Sequence, residues 1–320
     1  MTRRGWALFI ALGIIWGIPY LLIKVSVREI SPPLLVFIRT GGAALVLLPL
    51  AAAKGALMPA LRRWRYVVAY TVAELGIPWL LISNAERRLP SSLTGLLVAA
   101  VPLAAALLAW STGSDRVNLV RVAGLLLGVG GVAALVGFDV SGAQLGAVVS
   151  LVVVIAGYAL GPWIVARHLS DVPPIGVIAS SFALCAVAYA PIAAFFLPTR
   201  ALSASVIESA AGLTVVCTIV AFLVFFALVK EVGAMRTTLI TYVNPAVAVV
   251  LGVWVLGEHF GIAGGVGFVL ILGGCFLATR PVSEGMARPP REPVVGPQGR
   301  LGAEPACDVV ADTRAVAGPD

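Results

Sequence analysis

The chain has 320 residues, 60% of them apolar and only 12% charged, with a formal net charge of +7. Soluble domains average about 45–50% apolar and about 25% charged residues, so these charges cannot supply a polar skin for a protein of this size. The composition excludes an ordinary soluble enzyme, a mostly disordered chain and a small disulfide scaffold. What remains is a polytopic membrane protein.

A helix needs about 20 apolar residues to cross about 30 Å of hydrocarbon. Ten such stretches follow one another, at 6–26, 32–53, 66–84, 92–111, 120–138, 145–166, 174–197, 209–229, 235–256 and 260–280. The first follows Met1-Thr2-Arg3-Arg4, is longer than the apolar core of a signal peptide, and holds Trp16, Pro19 and Lys24. It reads as a first membrane span. Pro32-Pro33, Pro90, Pro173-Pro174 and Gly257-Glu258 mark breaks, and 54–65 reads as the longest loop. The runs are continuous rather than alternating, which excludes barrel strands. The predicted fold class is all-α, with ten transmembrane helices. Cys185, Cys217 and Cys275 lie inside apolar runs and read as small buried hydrophobes.

Lys and Arg set orientation. With the N-terminus inside, cytoplasmic segments carry 16 of them and outside loops carry four, Arg28, Arg87, Arg88 and Arg200. Ten spans put both termini in the cytoplasm. The segment 281–320 has seven Pro and five Gly and reads as a disordered cytoplasmic tail.

A shift of 143 lays residues 91–134 on 234–277 without a gap. Thr94 then meets Thr237, Pro102 meets Pro245, Gly124 meets Gly267 and Gly130-Gly131 meet Gly273-Gly274. Asp115 falls opposite Glu258, and Pro32-Pro33 anticipates Pro173-Pro174. The chain therefore divides into two five-helix repeats, 1–138 and 143–280. Five is odd, so the second copy enters the membrane from the opposite side. Inverted repeats suit transporters that alternate around a midplane site, although some channels share them.

Trp16-Gly17, Ile30-Ser31-Pro32 and Phe37-Ile38-Arg39 in the first half, with Leu239 to Pro245, Leu256-Gly257-Glu258 and Gly273-Gly274 in the second, resemble the EamA-like branch of the drug/metabolite transporter superfamily. The resemblance covers everything but the tail. It implies ten helices around a central cavity. It also implies secondary active export of small metabolites, amino acids or drugs across the bacterial plasma membrane. No cofactor or nucleic acid is implied, a proton is the candidate coupling ion, and a monomer suffices. One departure is Gly113-Ser114-Asp115 where the second half has Leu256-Gly257-Glu258.

Charges within spans are costly and are functional candidates by default. Arg39, which matches an arginine of the family in span two, reads as an electropositive wall for an anionic or zwitterionic substrate, or as a structural partner of Glu74. Glu74 reads as a proton carrier or as a counter-ion to Arg39 or Lys24. Lys24 reads as a snorkelling side chain. Trp16, Tyr242 and Asn244 complete the candidate substrate site. Pro245 and Pro102 read as paired kinks. Glu258 and Asp115 read as caps for the helices that follow them, spans ten and five.

Two other function classes compete. A membrane enzyme needs a polar cluster near one interface, and His168 and His259 fall on opposite sides. No Walker, H-E-x-x-H or G-x-S-x-G motif is present, and Gly128-x-Gly130-x-x-Ala133, formally a dinucleotide fingerprint, lies mid-span with no strand before it. A receptor without transport is the remaining alternative.

Overall fold

The computed structural model describes residues 2–113, 118–136 and 142–279. Asp115 and the tail 281–320 lie outside the described residues. Helices occupy all ten apolar stretches. They are α1 (Arg3–Ser26), α2 (Pro32–Ala53), α3 (Trp64–Ala85), α4 (Ser91–Ser111), α5 (Leu119–Val136) and α6 (Gly142–His168). They continue as α7 (Pro174–Ala194), α8 (Ala204–Val232), α9 (Leu239–Leu256) and α10 (Ile262–Ala278). Eight are long and apolar enough to cross a bilayer, while α5 and α10 are shorter apolar helices. No strand occurs among the described residues. The expected long loop at 54–65 carries a short helix, Leu57–Arg62.

Several spans are interrupted, and the sequence supplies the reasons. Pro19 restarts α1 after a break at Gly17-Ile18. Pro102 restarts α4 after Ala99-Ala100. Pro245 restarts α9 after a 3-10 turn at Thr238–Tyr242. A proline at the first turn of a segment costs nothing, because its missing N–H is an orphan donor there. Two spans contain a π-helical turn, Thr71–Gly76 in α3 and Val215–Val220 in α8. Pro78 follows the first turn and cannot donate to the Glu74 carbonyl four residues back. In the second, the Thr218 hydroxyl donates to Leu213 O at 2.8 Å and competes with the backbone ladder. Such bulges are frequent at functional sites.

Five helix pairs in contact are α1 with α8, α2 with α7, α3 with α6, α4 with α9 and α5 with α10. Exchanging each helix for its counterpart five places on leaves this set unchanged. The α5–α10 contact shows the same property at residue level. A Cβ on Gly124 would lie 2.8 Å from the Gly274 carbonyl oxygen, and one on Gly131 would lie 2.9 Å from the Gly267 carbonyl oxygen. Rising numbers in α5 meet falling numbers in α10, so the two helices are antiparallel. The four glycines that meet across this contact are the ones that a shift of 143 lays on one another, Gly124 on Gly267 and Gly131 on Gly274. Absent side chains let the backbones touch, which is how helices associate where lipid is as apolar as leucine.

Links between helix ends fall into two groups. At one end Thr2 bonds Glu231 at 2.6 Å, Arg63 pairs with Asp171 at 2.9 Å, and Tyr66 stacks on His168. At the other, Glu29 accepts from Ser203 N and Oγ and Glu258 accepts from Ser91 and Ser92. The groups follow the alternation expected of successive crossings. The outward surface is apolar, with Leu45, Val187, Trp254 and Val269 each more than two-thirds exposed. That surface suits lipid.

Candidate functional site

Arg39 lies about two turns into α2 and is buried. Its Nε donates to Thr218 Oγ1 at 2.8 Å, and its guanidinium carbon sits 3.6 Å from the centre of the Trp79 ring. A desolvated cation over an indole face gains about 2 kcal/mol. This cannot replace a counter-ion. Among the described residues Arg39 forms no ion pair, so the pairing with Glu74 that the sequence left open does not form. The guanidinium has five N–H donors, and Thr218 takes one of them.

Trp79 begins an aromatic wall. It contacts Phe182 at 5.8 Å between ring centres, Phe182 contacts Phe222 at 5.4 Å, and Phe222 contacts Trp16 at 5.8 Å. Spans α3, α7, α8 and α1 thus line one continuous face that joins Trp16 to Arg39. Aromatic residues at helical spacing read as ordinary core from sequence, so Trp79, Phe182 and Phe222 were not singled out there. Thr218 carried no sequence signal either. Its position becomes informative only because it falls at the same place in its π turn as Glu74 does in the other.

Glu74 lies in the π turn of α3, and its Oε2 is buried without a hydrogen-bond partner. Gly157 and Gly161 of α6 make room for it. A Cβ on Gly161 would collide with the Glu74 carboxylate, and one on Gly157 would collide with the Ala73 carbonyl. Tyr158, between these glycines, lies within electrostatic reach of Glu74, Arg39 and Tyr20.

The structure places the other candidates elsewhere. With its amide oriented to satisfy both ends, Asn244 donates to Gly13 O and Ile240 O at 3.0 Å each, which ties α9 to α1. Gly13 and Gly17 permit this approach, packing against Val243 and Val247. The Tyr242 hydroxyl lies 3.4 Å from Thr279 Oγ1, beside the end of α10. Neither joins Arg39. Pro102 and Pro245 both open helical segments, as described. Lys24 Nζ donates to Glu86 O and Leu89 O at 2.6 Å each, so it closes the turn after α3.

Glu258 corrects the expected cap. Its carboxylate accepts from Ser91 N at 2.7 Å, from Ser92 N at 2.9 Å and from Ser92 Oγ at 2.6 Å. It caps α4, not the helix that follows it. The reason is the left-handed Gly257 (φ 68°), which turns the chain back so that Glu258 N bonds Gly252 O and the side chain reaches across to α4. Half-burial pushes the Glu258 carboxyl up, but the bonds from Ser92 and Ser91 outweigh this and hold it below the usual range.

The fold and this interior define a polytopic membrane protein with a buried, unpaired cation beside an aromatic wall. Sequence comparison then fixes the family. The profile of the EamA-like transporter family matches residues 3–137 and again 145–280, and the chain belongs to that family. It is therefore a membrane transporter by family. Among curated relatives, the uncharacterized inner membrane transporter YedA of Escherichia coli K12 is 28% identical over 260 residues, covering 79% of this chain and 82% of YedA. YedA of E. coli O157:H7 matches to the same extent. One solved crystal structure, of a protein described without a function, superposes with a TM-score of 0.63 at 19% identity, covering 87% of this chain and 97% of that one. That likeness establishes the fold. Family, relative and apolar helices together make this a multi-pass inner-membrane protein.

Proposed function

We propose that the protein is a secondary active transporter that exports a small anionic or zwitterionic metabolite, amino acid or drug by alternating access. The two halves, 1–138 and 143–280, form an inverted repeat with both termini in the cytoplasm. Arg39 is the observation that carries the reading. An uncompensated cation within a span is costly, and it persists where an anion completes it during function. The Trp79–Phe182–Phe222–Trp16 wall supplies apolar contact beside that charge, which is the usual make-up of a small-molecule site.

The α5–α10 contact supports the inverted repeat, because the glycines that the repeat pairs meet across antiparallel helices. The paired π turns and paired proline breaks support two exchangeable states, since interrupted helices are where transporters bind and bend. The family resemblance supports export, and the Lys and Arg bias supports the orientation.

The test uses everted membrane vesicles, whose lumen corresponds to the outer side. With an acidic lumen, vesicles containing the protein accumulate a labelled substrate drawn from amino acids, organic acids and common drugs. Collapse of the gradient with a protonophore stops accumulation. Equal uptake in vesicles lacking the protein, across the whole set, contradicts the reading and leaves a receptor as its replacement.

A further inference from the structure

Glu86, just beyond α3, has a fully buried side chain, and neither carboxylate oxygen has a hydrogen-bond partner. No other described carboxylate has both oxygens in that condition. Its surroundings explain why. Lys24 of α1 lies close, but its ammonium donates to the backbone carbonyls of Glu86 and Leu89. The Thr94 hydroxyl of α4 lies near hydrogen-bonding reach of the carboxyl, and in this geometry it donates to Pro90 O at 3.1 Å. Tyr20 of α1 is within electrostatic reach, as is Glu258 from beyond α9. The groups facing Glu86 are thus one cation that bonds backbone carbonyls, one like charge, one phenol and one hydroxyl shared with the Pro90 carbonyl. Arg87 and Arg88 follow it on its own segment.

A buried carboxylate with neither oxygen satisfied is one of the most unfavourable groups a fold can hold. Adding a proton removes the charge and creates an O–H donor, which Thr94 Oγ1 still has a lone pair to accept. We propose that Glu86 is a proton-binding site, separate from the Arg39 site, whose proton holds the α1–α4–α9 junction shut. Three links meet at this junction. Lys24 ties α1 to the turn after α3, Glu258 ties α9 to the start of α4, and Gly95 of α4 admits Tyr20 and Ala248. Loss of the proton leaves Glu86 facing Glu258 as a second negative charge, and the junction loosens. Burial pushes the Glu86 carboxyl well above its ordinary range, with Lys24 opposing and Glu258 adding to the shift. This agrees in sign with the geometry. By linkage, alkaline conditions favour whichever state exposes Glu86. The inference deepens the proton-coupled reading above by naming the residue, and it is tested without any substrate, so either can fail while the other stands.

The experiment is infrared spectroscopy of the purified full chain in lipid, with thermal unfolding measured on the same samples. Wild type, Glu86→Gln and Glu74→Gln are compared from mildly acidic to alkaline pH. The expected spectrum of wild type at neutral pH contains a protonated-carboxyl carbonyl band that Glu86→Gln lacks and Glu74→Gln retains, and that disappears in alkali. The expected unfolding temperature of wild type falls as pH rises, and that of Glu86→Gln falls less, because the amide stays neutral. Should Glu86→Gln fold poorly, the alkaline loss of the wild-type band, retained in Glu74→Gln, carries the test alone. Identical carbonyl bands and identical pH profiles in wild type and Glu86→Gln overturn the proposal. So does stabilisation of wild type by sodium at constant pH that Glu86→Gln lacks, since the ligand is then a metal cation.

Discussion

Two adjacent glycine pairs, Gly130-Gly131 and Gly273-Gly274, are indistinguishable in sequence, yet the structure assigns their members opposite roles. A Cβ on Gly274 would lie 2.6 Å from both the Gly124 carbonyl oxygen and the Gly128 Cα. A Cβ on Gly131 would lie 2.8 Å from Ile271 N. These neighbours are backbone and cannot rotate away, so α5 and α10 must part by roughly 0.8 Å to restore ordinary contact. Overpacking of this kind costs about 1–3 kcal/mol, against which alanine returns up to about 1 kcal/mol of helix propensity. Gly274→Ala and Gly131→Ala are therefore each expected to destabilise by about 1–2 kcal/mol. Gly130 has nothing within 4 Å of its built Cβ, and Gly273 meets only Leu127 at 3.6 Å. Gly130→Ala and Gly273→Ala are expected to be neutral or slightly stabilising. Thermal unfolding of the four purified variants in one detergent gives the comparison. Equal effects within each pair, or the reverse order, refute the antiparallel backbone contact and the symmetry argument built on it.

The other predictions concern the links and the site. Arg39→Lys keeps the charge but loses the planar stack on Trp79 and the Nε bond to Thr218. Flux is expected to fall about tenfold or more, equivalent to about 1.4 kcal/mol, measured as initial rate against protein content. Asn244→Ala removes bonds to Gly13 O and Ile240 O, each worth about 1 kcal/mol or less in a membrane. The unfolding temperature should drop while the substrate KM stays unchanged. Glu258→Ala removes the cap of α4 and should cost about 0.5–2 kcal/mol at neutral pH. Because the folded carboxyl titrates below its unfolded value, this contribution is present above the unfolded pKa and is lost as pH falls through the folded one. Unfolding curves of wild type and Glu258→Ala should therefore converge in acid.

The span positions were legible because a bilayer imposes length and continuity on every crossing segment. Pro102 and Pro245 read as kinks, and each opens a helical segment, because a missing N–H acts locally. Side-chain partners were far less legible. Glu258 was read as a cap for its own following helix, because capping is usually local, whereas Gly257 reverses the chain and sends the carboxylate to α4. Glu86 carries no sequence signal beside Arg87 and Arg88, and only tertiary packing reveals its burial. Trp79 and Thr218, which hold Arg39, come from two other spans, one in each half, and no linear spacing links them. Four Gly-x-x-x-Gly spacings within the apolar runs suit close helix packing equally well, and the structure separates them. Gly13/Gly17, Gly124/Gly128 and Gly157/Gly161 are packed, whereas Gly261 and Gly265 have nothing within 4 Å of a built Cβ.

The central claim is that an anionic or zwitterionic substrate crosses through a site at Arg39. Counterflow in proteoliposomes tests it most directly, with amino acids, organic acids and common drugs offered to wild type and Arg39→Ala, and Gly130→Ala carried as a folding control. The account predicts counterflow of at least one such solute by wild type and by Gly130→Ala, and none by a folded Arg39→Ala. Undiminished counterflow in Arg39→Ala contradicts it.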